Sequence, residues 1–361
     1  MSIDQPLMNT YGRLPVAFES GDGAWLYDTD GNKYFDTFCG IAVCGLGHSH
    51  PAVTKALKDQ AGRLVHCSNL YHTPLQVKLA QKLCSISGMD NVFFSNSGAE
   101  ANEAAIKIAR KFGHDKGIQT PTIIVMEQSF HGRTMATLSA TGNPKVQDGF
   151  APLLDGFIRV PFNDITAIET ALKQHKNIVA ILVEPIQGEG GVNIPAPDYL
   201  NKIRTLCDQH DLLMMLDEVQ TGIARTGAWF AFQHNQITPD VCTLAKALGN
   251  GVPIGACMAK GKASQLLTAG KHGSTFGGNP LACSAALAVL QTLDADKIIE
   301  QVESKGNQIK SQLLNKLDGN KAVTSIRNKG LMIGIDLEKP CTELVQMAQE
   351  KSLLINVTAE R

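Results

Sequence analysis

Leu212-Leu213-Met214-Met215-Leu216 is an unbroken apolar run, and it stops on Asp217-Glu218-Val219-Gln220-Thr221-Gly222. Five apolar residues in succession, closed by polar and glycine residues, suit a strand covered on both faces. Such strands lose the in–out alternation of a half-exposed sheet. The same grammar recurs on either side, at 92–94, Thr122–Met126, Ile178–Val183, Val241–Leu244 and 254–259, with helical patterns between the runs. Short buried strands alternating with helices predict an α/β fold, a large domain whose mainly parallel sheet is covered by helices. A helical region at 279–293 leads into a smaller α/β tail (330–337, 342–351 and 353–357). Near the start, runs at 24–27 and 33–36 flank Asp30-Gly31-Asn32 and predict a hairpin. The expected division is 1–45 as an N-terminal segment, 46–290 as the large domain and 291–361 as the small C-terminal domain.

Composition narrows the function classes. With 361 residues, 43% apolar and 19% charged, the chain has the material for a sizeable core. Its 33 basic residues nearly balance 34 acidic ones and form no cluster, which argues against nucleic acid or a membrane surface as partner. The opening MSIDQPLMNTYGRLP has no apolar core of a secretory signal, and the most apolar runs are too short to span a bilayer. Nine cysteines, none in a CxxC pair, read as reduced thiols in a cytoplasmic protein and not as a metal cluster.

In an open α/β sheet, ligands bind beyond the carboxyl ends of the strands, so the residues directly after each run carry the chemistry. After 92–94 comes Ser95-Asn96-Ser97-Gly98-Ala99-Glu100, opening a helix over 101–111. Small residues there let backbone N–H groups approach an anion, although Ser97 also suits a plain helix cap. After 122–126 comes Phe130-His131-Gly132-Arg133, an aromatic and an Arg that could flank a flat ring and a carboxylate. A core Phe and a surface Arg are the plain alternative. Asp217 closes its run as a partly buried carboxylate that needs either a positive partner or a capping role. Lys246, after 241–244 and before Gly249-Asn250-Gly251, sits where an amine is desolvated and its pKa falls. An acid and a lysine at the ends of neighbouring buried strands are what a pyridoxal site requires. The lysine carries the cofactor, and the acid keeps its ring nitrogen protonated.

At this point a resemblance becomes specific. Ser97-Gly98-Ala99-Glu100-Ala101-Asn102-Glu103, Phe130-His131-Gly132-Arg133 and Glu184-Pro185-Ile186-Gln187-Gly188-Glu189-Gly190-Gly191 are similar, in order and spacing, to motifs of the class III aminotransferases. Asp217-Glu218-Val219-Gln220, Ala245-Lys246-Ala247-Leu248-Gly249 and Gly273-Ser274-Thr275-Phe276-Gly277-Gly278-Asn279-Pro280 complete the set. The resemblance runs from about Tyr11 to the last residue. It implies a fold-type I enzyme whose small domain is built from both chain ends, with pyridoxal 5'-phosphate as cofactor. It also implies a homodimer with shared active sites. Catalysis falls to Lys246, which carries the cofactor and shuttles a proton, and to Asp217 at the ring nitrogen. Cofactor contacts fall to Ser97, Gly98, Ala99, Phe130, Asp217, Glu218, Val219, Gln220 and Lys246, with Thr275 reaching in from the other subunit. Arg133, Ser274 and Glu189 face the substrates. The implied reaction is a ping-pong transfer of an ω-amino group from N-acetylornithine to 2-oxoglutarate. Succinylornithine, ornithine, 4-aminobutyrate and acylated lysine precursors are donors of similar enzymes.

Similar proteins continue beyond the strand-like run 353–357 with an Arg-bearing strand and a final helix. The expectation is therefore that a C-terminal segment is missing after Arg361, leaving that run without a neighbour. Three rival readings are weaker. Gly249-x-Gly251-x-x-x-Gly255 loosely resembles a dinucleotide fingerprint, but Pro253 and the run after it point to a strand where that fingerprint needs a helix. His48 and His50 lack a third metal ligand, so Gly47-His48-Ser49-His50-Pro51 reads as a helix-entry turn. A non-catalytic binding module would not need both Lys246 and Asp217.

Overall fold

The computed structural model describes residues 6–361; the first five, part of the amino terminus read above as carrying no secretory signal, lie outside them. Among the described residues thirteen strands form: β1 (Phe18–Asp22), β2 (Trp25–Asp28), β3 (Lys33–Asp36), β4 (Asn91–Ser95), β5 (Thr122–Met126), β6 (Phe157–Val160) and β7 (Ile178–Val183). They continue with β8 (Leu213–Asp217), β9 (Val241–Leu244), β10 (Gly255–Ala259), β11 (Val323–Lys329), β12 (Met332–Leu337) and β13 (Leu353–Leu354). All six apolar runs enter one seven-stranded sheet of order β4-β10-β9-β8-β7-β5-β6. Neighbours from β6 across to β9 are parallel, while β10 is antiparallel to both β9 and β4. Two reversals at β10 leave β4 pointing the same way as β9. The carboxyl ends of β4, β5, β7, β8 and β9 therefore lie on one edge of the sheet.

Every residue of β5, β7, β8, β9 and β10 is buried, which is why their sequences show no alternation. β1, β6 and β11 were not anticipated; their residues are mostly exposed or half-buried, so no apolar run marks them. The helix Gly98–Asp115 starts at Ser97, whose hydroxyl accepts the Glu100 N–H at 3.2 Å. It buries an alanine-rich face against β9 and β10. The helix Pro280–Ala295 is buried over most of its length against helices Pro51–Ala61 and Pro74–Ser87. Position 290, the expected domain division, thus falls inside a continuous helix. The nearest break is at Asp296 and Lys297, where Lys297 turns left-handed with φ 51°.

The chain ends meet in a second sheet, β1-β2-β3-β13. The expected hairpin is β2–β3, and β13 pairs in parallel with β3, Leu353 opposite Phe35. The 353–357 run therefore has a neighbour, contrary to the expectation, because the N-terminal hairpin offers it a free edge. β11 and β12 form a separate two-stranded ribbon.

A left-handed turn follows β3. Cys39, Gly40, Ile41 and Ala42 all have positive φ (54°, 62°, 64° and 59°), a conformation costly for β-branched Ile41. Asp36 holds it: Oδ1 accepts the N–H groups of Phe38 and Cys39 at 3.0 and 2.8 Å, and Oδ2 lies 2.8 Å from His48 Nε2. His48 thus serves a turn, and His50 is the residue directly before helix Pro51–Ala61, with no side-chain capping bond. Beyond it, Asn250 Oδ1 accepts the Leu46 N–H at 2.8 Å and Asn250 Nδ2 donates to the Gly47 carbonyl at 3.0 Å. This clamps 44–47 against the segment that carries Lys246. All nine cysteines are free thiols, five of them buried. Among the described residues no helix is long and apolar enough to cross a membrane.

Candidate active site

Asp217 ends β8 and is 4% exposed. Its Oδ2 accepts from Asn102 Nδ2 at 2.7 Å and lies 2.8 Å from His131 Nδ1, while Oδ1 accepts the Val219 N–H at 3.1 Å. Asn102 is itself fixed: its Oδ1 accepts from Thr243 Oγ1 at 2.7 Å, and its Nδ2 also donates to the His131 carbonyl at 2.9 Å. Thr243 is the residue of β9 directly opposite Asp217. The carboxylate therefore has a rigid cradle of Asn102, His131 and the Val219 N–H, and no lysine or arginine among the described residues. It does not cap a helix.

Lys246 follows β9 in a short 3-10 turn and has φ 43°, a strained position for a residue with a side chain. Burial pushes its amine below the usual lysine pKa, against the opposing pull of Glu189, Asp217 and Glu184. No hydrogen bond or ion pair holds the amine among the described residues.

At the end of β4, the backbone N–H groups of Gly98 and Ala99 open the 98–115 helix and find no acceptor among the described residues. Gly98 must be glycine because a Cβ there would lie 2.8 Å from Val219 Cγ1. Ser97 acts as the cap, as one of its two readings held. Phe130, after β5, donates its N–H to Glu184 Oε1 at 2.9 Å, and the Arg133 guanidinium carbon lies 5.8 Å from the Phe130 ring centroid. Arg133 is otherwise exposed. Gln220 reaches Glu189, Nε2 to Oε1 at 3.4 Å.

One expected contact, that of Glu218, is placed differently. The Glu218 carboxylate turns into the following loop, where Thr221 Oγ1 and the N–H groups of Ala231 and Phe232 donate to it at 2.9, 2.7 and 2.9 Å. Burial raises its pKa to about 7. Glu218 therefore braces the floor of the site and offers it no free polar atom. Thr275 is exposed on an outer loop beside Phe276, which is 60% exposed. Its neighbour Ser274 spends its hydroxyl on Asn96 Nδ2 at 3.1 Å and the Gly277 N–H at 3.0 Å. That loop borders an open cleft of about 580 Å³ along β4, which includes Ser274 but neither Asp217 nor Lys246.

Asn102, His131, Thr243 and Glu184 are site residues to which the sequence reading assigned no role. A faint signal existed for Asn102. It lies on the buried face of its helix with Ile106, Ala109 and Phe112, a polar residue in an apolar stripe.

The family model for "Aminotransferase class-III" matches residues 8–360. An acetylornithine aminotransferase of Nitrosomonas europaea is 55% identical over 98% of this chain and 90% of its own length. One from Methanocaldococcus jannaschii is 49% identical over 98% and 88%. Among solved structures, the ornithine aminotransferase from Toxoplasma gondii superposes with a TM-score of 0.95 at 36% identity, covering 99% of this chain and 86% of that one. A second structure of that enzyme, with the same score and identity, covers 99% and 85% and is described as having partial occupancy of PLP at the active site. The acetylornithine aminotransferase from Elizabethkingia anophelis gives 0.87 at 36% identity, covering 99% and 89%. With its motifs gathered at the carboxyl ends of a seven-stranded sheet and a family match over nearly its whole length, this chain belongs to the class III aminotransferases, of fold type I.

Proposed function

We propose that the enzyme moves the ω-amino group of N-acetylornithine to 2-oxoglutarate, as in arginine biosynthesis, in a ping-pong reaction using pyridoxal 5'-phosphate. We place it in the cytoplasm as a homodimer. The observation that carries this reading is a pair of buried ionisable groups at the ends of adjacent strands. One is the desolvated, unbonded amine of Lys246; the other is the buried Asp217 carboxylate that no lysine or arginine meets. Burying either alone is costly, so a ligand offering a carbonyl to the amine and a protonated ring nitrogen to the carboxylate fits the site. The unused N–H groups of Gly98 and Ala99 at a helix N-terminus fit its phosphate. The relatives named for acetylornithine support the choice of donor.

Pyridoxal phosphate, when bound, supplies an electron sink. Lys246 Nζ would hold it and then carry a proton from the amine-bearing carbon. Asp217, kept in place by Asn102 and His131, would keep the ring nitrogen protonated. Phe130 would cover one ring face, and Gln220 would meet the ring hydroxyl. Ser97, Gly98 and Ala99 would cradle the phosphate, with Thr275 of a second copy, whose exposure suits a contact outside its own chain. Arg133 would take the donor's carboxylate by a two-pronged contact, with Ser274 beside the acyl amino acid. Glu189 would face the keto acid.

Ornithine is the rival donor, since the T. gondii neighbour carries that name. A panel of N-acetylornithine, succinylornithine, ornithine, 4-aminobutyrate and acylated lysine, each assayed against 2-oxoglutarate, tests the proposal. The highest kcat/KM is expected for N-acetylornithine. A lead for ornithine or 4-aminobutyrate would overturn the donor while leaving the class intact. Arg133→Ala is expected to raise the donor KM about 10- to 100-fold, the worth of one charge-assisted contact, with little change in cofactor absorbance. An unchanged KM would mean that another group holds the carboxylate.

A further inference from the structure

We propose that Glu184 is a positioning residue whose single carboxylate sets two walls of the active site together, the Phe130 loop and the Gly188–Glu189 turn. It rests on the aminotransferase reading of Phe130 and Glu189.

Glu184 comes directly after β7, whose neighbours are β5, which leads to Phe130, and β8, which ends at Asp217. Its two oxygens serve different loops. Oε1 accepts the Phe130 N–H at 2.9 Å and Oε2 accepts the Gly188 N–H at 3.1 Å. Gly188 in turn leaves room for Gln220: a Cβ on Gly188 would lie 1.8 Å from Gln220 Oε1, so the glycine lets Gln220 lie there and reach Glu189. The turn is braced from behind, where Arg327 of β11 donates through Nε to the Val192 carbonyl at 2.7 Å. A displacement of Glu184 would therefore move the residue proposed for the ring face and the two proposed for the ring hydroxyl and the keto acid.

The placement is expensive. Glu184 is 6% exposed and has no lysine or arginine partner among the described residues. Burial raises its pKa to about 7, although His131 draws it down. Two backbone N–H donors, one on each oxygen, offset part of that cost, and both belong to loops that carry site residues. A carboxylate is needed because each of its oxygens is an acceptor. An amide of the same shape has one acceptor and would turn an N–H donor toward the other backbone N–H.

The test is Glu184→Gln in the cofactor-loaded protein, with Glu184→Asp beside it. In the wild type, amide hydrogen exchange at Phe130 and Gly188 should both be slow. In Glu184→Gln at least one should speed up about tenfold or more, the scale of one lost charged hydrogen bond. The circular dichroism of the cofactor band should change if Phe130 is freed. The KM for 2-oxoglutarate should rise about tenfold, more than kcat falls, if the turn is freed. Glu184→Asp, shorter by one methylene, should keep one contact and one of these two properties. Unprotected Phe130 or Gly188 amides in the wild type would overturn the proposal, even if Glu184→Gln did not fold. So would a Glu184→Gln protein with unchanged exchange, dichroism and KM, whatever its Tm. Wild-type protein that protects both amides yet takes up no pyridoxal phosphate would instead overturn the cofactor reading, and with it the functional half of this proposal.

Discussion

Lys246→Ala is expected to abolish measurable transamination, a loss of at least about 10⁴-fold, since it removes both the covalent anchor and the base. It should do so without unfolding the protein. The wild-type amine is desolvated and unbonded, so cutting it away removes a burial cost that the nearby carboxylates offset only in part. Alanine tolerates the φ of 43° no worse than lysine. The Tm of the cofactor-free variant should thus equal or exceed that of the cofactor-free wild type. The sign with pH comes from the lowered pKa. As pH rises through the depressed folded value toward 10.5, the unfolded chain still binds a proton that the folded one has lost, so wild-type stability rises. The variant lacks this gain, and the Tm gap should shrink at alkaline pH. Borohydride reduction and peptide mapping give the direct check. A label on any lysine other than Lys246, or residual turnover near wild type, would remove the assignment.

Asp217→Asn should lower kcat by about 10²- to 10³-fold, the scale seen when one preorganised charge is taken from a transition state. Geometry makes the exchange worse than a loss of charge. Asn102 Nδ2 donates to Oδ2, where His131 Nδ1 also lies, and the Val219 N–H donates to Oδ1. The amide introduced by Asp217→Asn must aim its own N–H groups at one of these donors, whichever way it is flipped. Cofactor binding should survive, because the Gly98 and Ala99 N–H groups are untouched. Stopped-flow measurement of the first half-reaction isolates the effect, and near-normal rates would reduce Asp217 to a structural group. Asn102→Ala is a milder version, since it keeps the charge and loosens its cradle.

What the sequence by itself determined is local. Short runs of three to six mostly apolar residues, bounded by polar and glycine residues, suit strands buried on both faces, and their polar ends then lie at the rim of the sheet. Asp217, Lys246, Phe130 and the 97–99 turn were legible there because each stands shortly after such a run. What only the tertiary structure decided is convergence. Asn102 sits inside a helix and Thr243 inside a strand, so no local pattern distinguishes them from other buried polar residues. They meet Asp217 because β9 lies beside β8 in a register that places Thr243 opposite it, with the 98–115 helix packed across. Glu184 acquires the Phe130 N–H because β7 lies beside β5, while the Gly188 N–H comes from its own loop. Strand order also overturned one expectation. It gave the 353–357 run a partner in β3, more than 300 residues earlier. Order and register are set by the burial of whole faces against one another, a non-local quantity. Periodicity in a single segment reports that a face is buried but not which other segment covers it.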